Sequence, residues 1–454
     1  MVKMAGRPVT GRLVGGPRRR ALLTWAAVLV AGLLGRIACA WAGDAGEGFD
    51  EYGGWPRLSF RATGWFHTAV DEGRWWLVDP EGNAFLSIGV NKVFSRPGAA
   101  RGTAPGTYRW PPGMAYGPRK AWARFAAARL RRWGFNTIGA GSARIAWRQE
   151  MPFTAMLDLS RQVELPEGQT FPDVFDPAYE SAAAEQARRL CGLLARDRWL
   201  IGYFTDDELD WAGAAAGGSL FYAFLGLADD APGRAALLGF LKERYQTIER
   251  LNDSWGTEYE SFEQVGRLPQ VGARVPDRVH EDFLALVAAR YFRTATQAIR
   301  AVDPNHLILG CRFAQEPPGP VLRAMAGYVD VVSVKHCGER PPVRMLRNLA
   351  RATGLPVIVS EFSLPAAGSP SGAEEGEPEP DARLAERFEA YVRELMGVPA
   401  VVGYHWAQYV DSGDRDRCGG RGLVDEEDRP HEALVAAAAR VNREAYIIAS
   451  RHRR

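Results

Sequence analysis

Three consecutive acids, Asp206, Asp207 and Glu208, follow a short apolar run, Trp199–Phe204, whose aromatic and branched residues are typical of a buried strand. A fourth acid, Glu361, follows a second such run in the sequence PVIVSEFS. Carboxylates at the end of a buried strand do not contribute to a core, because desolvating an unpaired charge is costly. Two of them, each at the carboxyl end of a parallel strand, form the simplest apparatus for general acid and nucleophile chemistry on a glycosidic bond.

The elements that would position these acids are eight strand-like runs, most of them separated by helical patterns. The runs lie at 85–90, 135–139, 153–157, 199–204, 306–311, 328–334, 356–360 and 401–405. Their count predicts an α/β fold, a (β/α)8 TIM barrel, with an N-terminal hairpin around the turn Asp79–Asn83. A helical insertion after strand 4, with its strongest helix at Arg234–Arg250, completes the prediction. A doubly wound parallel sheet is the alternative, and the lack of a Gly-rich phosphate loop after an early strand argues against it.

In a (β/α)8 barrel the loops after the strands share one face, so residues distant in sequence meet there. The residues that the predicted strand ends bring to this face are Asn91, Asp207, Glu208, Arg312, Lys335, His336, Glu361 and Trp406. Strands four and seven are expected to lie far enough around the barrel for Glu208 and Glu361 to flank a substrate. A separation of about 5–5.5 Å between the two carboxyl groups would be that of a retaining glycosidase.

Residues 1–42 are interpreted as an export signal peptide, of the twin-arginine kind, or as an N-terminal anchor. They combine a basic start and Arg19-Arg20 with the apolar run 21–35 and the small residues of Ala38-Cys39-Ala40. The apolar run is short for a transmembrane span. We therefore expect one catalytic domain over 50–450, in an exported, secreted or periplasmic protein that meets a membrane only through this segment if it stays uncleaved.

The charge balance gives no indication of a nucleic-acid partner, and none is predicted. Residues 1–42 hold seven of the 56 Lys and Arg residues and no acid, which leaves 49 basic residues against 54 acidic ones, a net charge of −5. No cofactor motif is present, and the sequence predicts neither a cofactor nor a metal. A metal site that joins the acids 206–208 to His336 or His405 remains an alternative, although the chain has no HxH or HExxH spacing.

The ordered motifs of the chain resemble those of the secreted β-agarase and β-galactosidase-like glycoside hydrolases, in the large clan of retaining (β/α)8 glycosidases. The resemblance spans about residues 73–435 and rests on GRWWLVDPEGNAFLSIGVN, WGFNTIG, LIGYFTDDELDW, DPNHLILG, PVIVSEFS and GYHWAQYVD. It implies that Glu208 is the acid/base and Glu361 the nucleophile. It also implies that Trp406, at the end of strand eight, is a platform on which a sugar stacks.

Two departures from the clan pattern bear on activity. Asp207 replaces the asparagine that usually precedes the acid/base, so it can accept a hydrogen bond from a sugar hydroxyl but cannot donate one. Lys335 and His336 stand where a tyrosine often hydrogen-bonds the nucleophile. The lysine is expected to lower the pKa of Glu361, and the histidine to take over the hydrogen bond.

The sequence thus predicts a retaining glycoside hydrolase that acts on a β-linked, galactose-type oligo- or polysaccharide. The two departures motivate an alternative from a different class, a carbohydrate-binding barrel with reduced or no turnover. A metal-dependent hydrolase that uses the acid cluster is a third hypothesis.

Overall fold

The computed structural model describes residues 48–94, 119–213, 218–265, 274–365, 380–412 and 420–451. Residues 48–454 form one compact unit. Within the described ranges, no helix is both long enough and apolar enough to cross a membrane. The predicted export segment, 1–42, lies outside them.

The described part of the chain contains twelve strands. They are β1 (Trp55–Ser59), β2 (His67–Asp71), β3 (Arg74–Val78), β4 (Asn83–Phe85), β5 (Ser87–Val90), β6 (Thr137–Ile138), β7 (Phe153–Met156), β8 (Leu200–Phe204), β9 (Leu307–Ile308), β10 (Val332–Cys337), β11 (Val357–Ser363) and β12 (Val401–Trp406). Strands β5 to β12 pair in parallel in the order β10-β11-β12-β5-β6-β7-β8-β9.

The two edge strands of this curled sheet are joined just beyond the end of β9. Phe313 forms an isolated parallel bridge with Val334 of β10. Its backbone N–H donates to the Ser333 carbonyl at 3.0 Å, and its own carbonyl accepts from the N–H of Lys335 at 2.7 Å. The sheet therefore closes on itself, and the predicted (β/α)8 barrel is confirmed.

The N-terminal strands form a separate antiparallel sheet in the order β1-β4-β3-β2. The predicted hairpin is its β3–β4 pair, with Asp79–Asn83 as the turn. Arg74, fully buried, donates to the carbonyls of Met396 and Val398 before β12 and to that of Val401 in its first residue, at 3.1 to 3.3 Å. The small sheet is thereby attached at the amino ends of the barrel strands, away from the face that carries the predicted site.

Ten α-helices occur in the described ranges. They are α1 (Arg119–Arg132), α2 (Pro177–Leu194), α3 (Leu220–Leu225), α4 (Pro232–Tyr245), α5 (Ile248–Trp255), α6 (Asp277–Arg300), α7 (Gly319–Met325), α8 (Val343–Thr353), α9 (Asp381–Met396) and α10 (Glu432–Ser450). Helices α3 to α5 are the predicted insertion after the fourth barrel strand. The single helix predicted for Arg234–Arg250 is wrong, because Gln246 has a φ of 67° and interrupts it between α4 and α5.

Barrel strands six and seven each extend well beyond their predicted ends, and this extension determines what reaches the site. The apolar runs predict that strand six stops at Val334 and strand seven at Ser360. In the structure the pairing continues, with Lys335 opposite Glu361 and His336 opposite Phe362. Lys335 and Glu361 are therefore neighbours across a strand pair rather than residues of two separate loops.

Candidate active site

The carboxylate of Glu361 is surrounded by donors and positive charge. Its Oε2 accepts from the Arg312 guanidinium at 2.8 Å and from the Asn91 amide at 3.2 Å. Its Oε1 lies 3.4 Å from the ammonium of Lys335 and 3.9 Å from that of Lys92. Burial alone would raise the pKa of Glu361, but Arg312, Lys92 and Lys335 outweigh it and lower this pKa to about 2. Glu361 is therefore ionised at neutral pH.

Arg312 connects the two sides of the barrel face. It follows β9, forms a parallel bridge with Asp207, and its side chain is only 4% exposed. The guanidinium donates to Asp207 Oδ1 at 3.1 Å as well as to Glu361. It also donates to the hydroxyl and the carbonyl of Ser360, at 3.2 and 3.1 Å. With four acceptors in fixed positions, this cation holds Glu361 and Asp207 in place.

Asn91 lies directly after β5 and is completely buried. Besides Glu361, its amide donates to the Ser360 carbonyl at 2.8 Å. This packing requires a glycine at position 139, since a Cβ there would lie 2.1 Å from Asn91 Oδ1. Gly139, the last residue of the WGFNTIG motif, thus leaves the space that the Asn91 side chain occupies.

Glu208 lies in the loop after β8 with an unusual backbone conformation. Its φ of 55° is in the left-handed region, which costs a non-glycine residue of order 1–3 kcal/mol. Two backbone bonds enforce this conformation: Arg312 N–H donates to the Asp206 carbonyl, and Glu208 N–H donates to the Arg312 carbonyl, each at 3.1 Å. The side chain of Glu208 is 48% exposed. It does not cap the next described helix, α3, because Ser219 is the N-cap residue of that helix.

Lys335 lies between the two predicted catalytic glutamates. Its ammonium is 2.7 Å from Glu208 Oε1, 3.4 Å from Glu361 Oε1 and 3.7 Å from Asp207 Oδ1. The two glutamate oxygens can be no farther apart than the sum of their distances to the shared nitrogen, about 6 Å. Burial would lower the pKa of Lys335, but Glu361, Asp207 and Glu208 outweigh it and raise this pKa above its usual value. Lys335 is therefore an ammonium.

His336 is directed away from the nucleophile position. Its Nδ1 lies 2.9 Å from the hydroxyl of Tyr391, on α9, and the rings of the two residues stack. Burial lowers the pKa of His336 to about 4, so the ring is neutral. The prediction that His336 hydrogen-bonds Glu361 is wrong, because its neighbour Lys335 takes that position in the alternating strand.

Trp406, the predicted sugar platform, ends β12 but is only 1% exposed. Its ring packs edge-on against Phe362 and Phe388, with centroids 5.1 and 5.5 Å apart. The indole N–H has no hydrogen-bond partner among the described residues. In this structure the ring packs in the barrel wall, and stacking on a sugar remains a prediction.

Two residues that contact Glu361 or its partners were not singled out from the sequence. Lys92 follows Asn91 and could have been found by extending the strand-end rule by one residue. Ser360 accepts from Arg312 and donates to the Val334 carbonyl at 3.0 Å, and no sequence signal distinguishes it from other buried serines.

The first acid of the cluster, Asp206, is separate from this site. It is buried, its Oδ2 accepts from Tyr291 on α6 at 2.6 Å, and its Oδ1 accepts from the Ser160 N–H at 2.8 Å. Burial raises the pKa of Asp206 to about 7. His405 contacts Ser87 at 2.8 Å. Among the described residues, no three His, Cys, Asp or Glu side chains come together as a metal site would require.

Comparison with known proteins places this barrel among those of glycoside hydrolases. A protein-family model described as beta-galactosidase matches residues 146–353, a little under half of the chain. Beta-agarase B of Vibrio sp. (strain JT0107) is 25% identical over 491 aligned positions, which cover 87% of this chain and 50% of the relative.

Solved structures of two agarases have the same fold. A structure described as an exo-beta-agarase has a TM-score of 0.75 at 24% identity, covering 89% of this chain and 68% of its own. The structure of a second agarase has a TM-score of 0.74 at 25% sequence identity, and the match covers 92% of this chain and 70% of the agarase chain. The chain is thus β-agarase- and β-galactosidase-like, as its ordered motifs predicted, and it spans about half the length of the curated relative.

Proposed function

We propose that this protein is an exported, retaining glycoside hydrolase that cleaves β-linked, galactose-type oligo- or polysaccharides. The observation that carries the proposal is the pair of carboxylates, Glu208 and Glu361, bridged by one ammonium. The two Oε1 atoms lie no more than about 6 Å apart, which is compatible with the roughly 5–5.5 Å between the carboxyl groups of retaining enzymes.

The environments of the two glutamates suit two different roles. Glu361 is ionised and held at Oε2 by Arg312 and Asn91, so its Oε1 is left to attack the anomeric carbon. Glu208 is half-exposed, and its carboxyl group can exchange protons with water. It would protonate the leaving oxygen in the first step and activate a water in the second.

The substrate class is supported by the similarity to β-agarases and to the beta-galactosidase family model. Export is supported by the composition of residues 1–42 alone. Sequencing the amino terminus of the protein recovered outside the cytoplasm tests it: a start near residue 43 is expected, and a full-length cytoplasmic protein would contradict export.

The experiment that tests the mechanism is hydrolysis of aryl β-galactosides and agar oligosaccharides by wild type, Glu361→Ala and Glu208→Ala, with and without azide. Glu361→Ala is expected to lose at least about a thousandfold in kcat. Azide should then restore turnover and give a glycosyl azide of inverted configuration. Glu208→Ala with azide should give the retained configuration instead, because the nucleophile is still present.

Glu185→Ala is the matched control, since Glu185 is an exposed glutamate on α2 whose side chain is 69% exposed. It should behave as wild type. Turnover that survives in Glu361→Ala without azide would contradict the assignment of the nucleophile.

One observation favours a second candidate, a carbohydrate-binding barrel without turnover. The Lys335 ammonium lies between the two glutamates, 2.7 Å from Glu208 and 3.4 Å from Glu361, where the reacting sugar would have to bind. This candidate predicts saccharide binding by wild type with no hydrolysis of any substrate in the panel.

A further inference from the structure

Among the described residues, the candidate active site contains as many cations as anions. Each of these three cations lies within 4 Å of at least one of the three carboxylates. The cations are Lys92, Arg312 and Lys335, and the carboxylates are Asp207, Glu208 and Glu361. With all six groups ionised their charges cancel, which is how charges with little exposure are normally tolerated.

The proposed function disturbs this balance. Glu208 must carry a proton when the glycosidic bond breaks, so one negative charge disappears while all three cations remain. The cation that loses its closest partner is Lys335, whose side chain is only 17% exposed. Water compensates a charge in such a position poorly, so a neutral sugar would leave Lys335 underpaired in the reactive state.

Lys335 is also the cation that is able to change partners. Arg312 is committed to four acceptors, two of them on Ser360, and cannot turn without breaking them. Lys92 is 37% exposed and 3.9 Å from Glu361, so solvent already shares its charge. The ammonium of Lys335 ends a flexible chain and lies between Glu208 and Glu361, where the reacting sugar would bind.

We propose that Lys335 is a specificity-determining residue that selects a sugar with an anionic substituent, a carboxylate or a sulfate ester, on the ring bound between Glu208 and Glu361. The inference rests on the proposed function. The anionic substituent takes the place of Glu208 as the ion-pair partner of Lys335, and Glu208 takes up a proton from solvent. Binding of the substrate and protonation of Glu208 are then coupled.

The first test compares kcat/KM for three 4-nitrophenyl β-glycosides, the galactoside, the galacturonide and the 6-sulfogalactoside. Wild type is expected to prefer at least one anionic substrate by about tenfold or more, the value of a charge-assisted hydrogen bond. A preference for the galacturonide alone assigns the carboxylate, and a preference for the sulfated sugar alone assigns the sulfate. Lys335→Met should abolish the preference, and Lys335→Arg should retain part of it.

Lys92→Met is the matched control, because it removes another cation next to Glu361. It is expected to change kcat/KM for the neutral and the anionic substrates by the same factor. A wild type that hydrolyses the neutral galactoside equally well or better, with a ratio that Lys335→Met leaves unchanged, would overturn the inference and leave the proposed function intact.

The second test does not require turnover. Calorimetric titration of wild type with a 1-thio-β-galacturonide and a sulfated 1-thio-β-galactoside, in two buffers of different ionisation enthalpy near pH 7, counts the protons taken up on binding. Uptake of about one proton with an anionic ligand, absent in Lys335→Met, is expected. Binding without proton uptake, or no preference over the neutral thiogalactoside, would overturn the inference even if no substrate is hydrolysed.

Discussion

Buried carboxylates occur at both ends of the barrel, and they differ in what surrounds them. At the carboxyl end, Glu361 is surrounded by three cations, which lower its pKa to about 2. At the amino end, Asp79 is completely buried beside Asp50, in the turn of the small sheet. Burial and a hydrogen bond with Asp50 raise the pKa of Asp79 to about 8, even though its Oδ1 accepts from two backbone amides.

The difference separates a site organised for chemistry from one organised for structure. A neutral Asp79 satisfies a tight turn without a counter-charge, and it needs no contact with solvent. A Glu361 kept ionised requires the buried Arg312 and two further cations, Lys335 and Lys92, beside it. Carboxylates whose pKa is shifted by several neighbouring charges cluster at functional sites.

Removing Arg312 should make the surroundings of Glu361, at the carboxyl end of the barrel, resemble those of Asp79 at the amino end. This substitution has the largest expected effect on stability. Arg312→Met leaves Glu361 and Asp207 without their buried partner, which is expected to lower the free energy of unfolding by about 3–5 kcal/mol. The pKa of Glu361 should rise, and the acid limb of kcat/KM with it. Urea denaturation at pH 7 and a pH–rate profile measure the two effects. Arg188→Met, at an exposed pair with Glu185, should change stability by less than about 0.5 kcal/mol.

The contribution of Asp79 to the free energy of unfolding is expected to fall as pH rises. Asp79 binds its proton more tightly in the folded protein than in the unfolded chain, so its contribution is present below about pH 4 and is lost as pH rises toward 8. Asp79→Asn keeps the turn but cannot ionise. The difference in unfolding free energy between wild type and Asp79→Asn should therefore fall by a few kcal/mol between pH 4 and pH 9. A difference that stays constant over this range would contradict the raised pKa of Asp79.

The contribution of Glu361 to the free energy of unfolding is expected to depend on pH with the opposite sign, rising as pH rises, and to change by a smaller amount. Its pKa is lowered on folding, so its contribution to stability is present above about pH 4.5 and is lost as pH falls toward 2. The difference in unfolding free energy between wild type and Glu361→Gln should decrease by on the order of 2 kcal/mol between pH 5 and pH 3. A pH-independent difference would mean that Arg312 and Lys335 do not hold Glu361 ionised.

The sequence was sufficient to predict the barrel and the two acids that its strands present. A search for carboxylates after apolar strands finds Glu208 and Glu361, but it also finds Asp206, whose buried side chain bonds Tyr291 and the Ser160 N–H. The effect of Lys335 on the pKa of Glu361 was predicted and is confirmed. The contacts of Arg312 and the ion pair between Lys335 and Glu208 could not be predicted, because they depend on reach across the barrel and on a strand pairing that continues past the apolar run. His336 was misread for the same reason: its partner, Tyr391, is on a helix 55 residues away.

Backbone interruptions and burial were equally beyond the sequence. Gln246 breaks the inserted helix without a glycine or proline to mark it. The sequence also does not distinguish an aromatic residue whose ring faces a cleft from one whose ring is buried. Trp406, at the end of β12, packs against Phe362 and Phe388.

The contacts of Arg74 also constrain the order in which the chain folds. This residue lies in the small antiparallel sheet, yet the carbonyls that receive its guanidinium begin 322 residues later, at Met396. Until β12 and the residues before it have been synthesised, that buried charge lacks its acceptors, and the small sheet lacks its anchor. Attachment of this sheet to the barrel is thus expected to be a late step in folding, because contacts so distant in sequence form late.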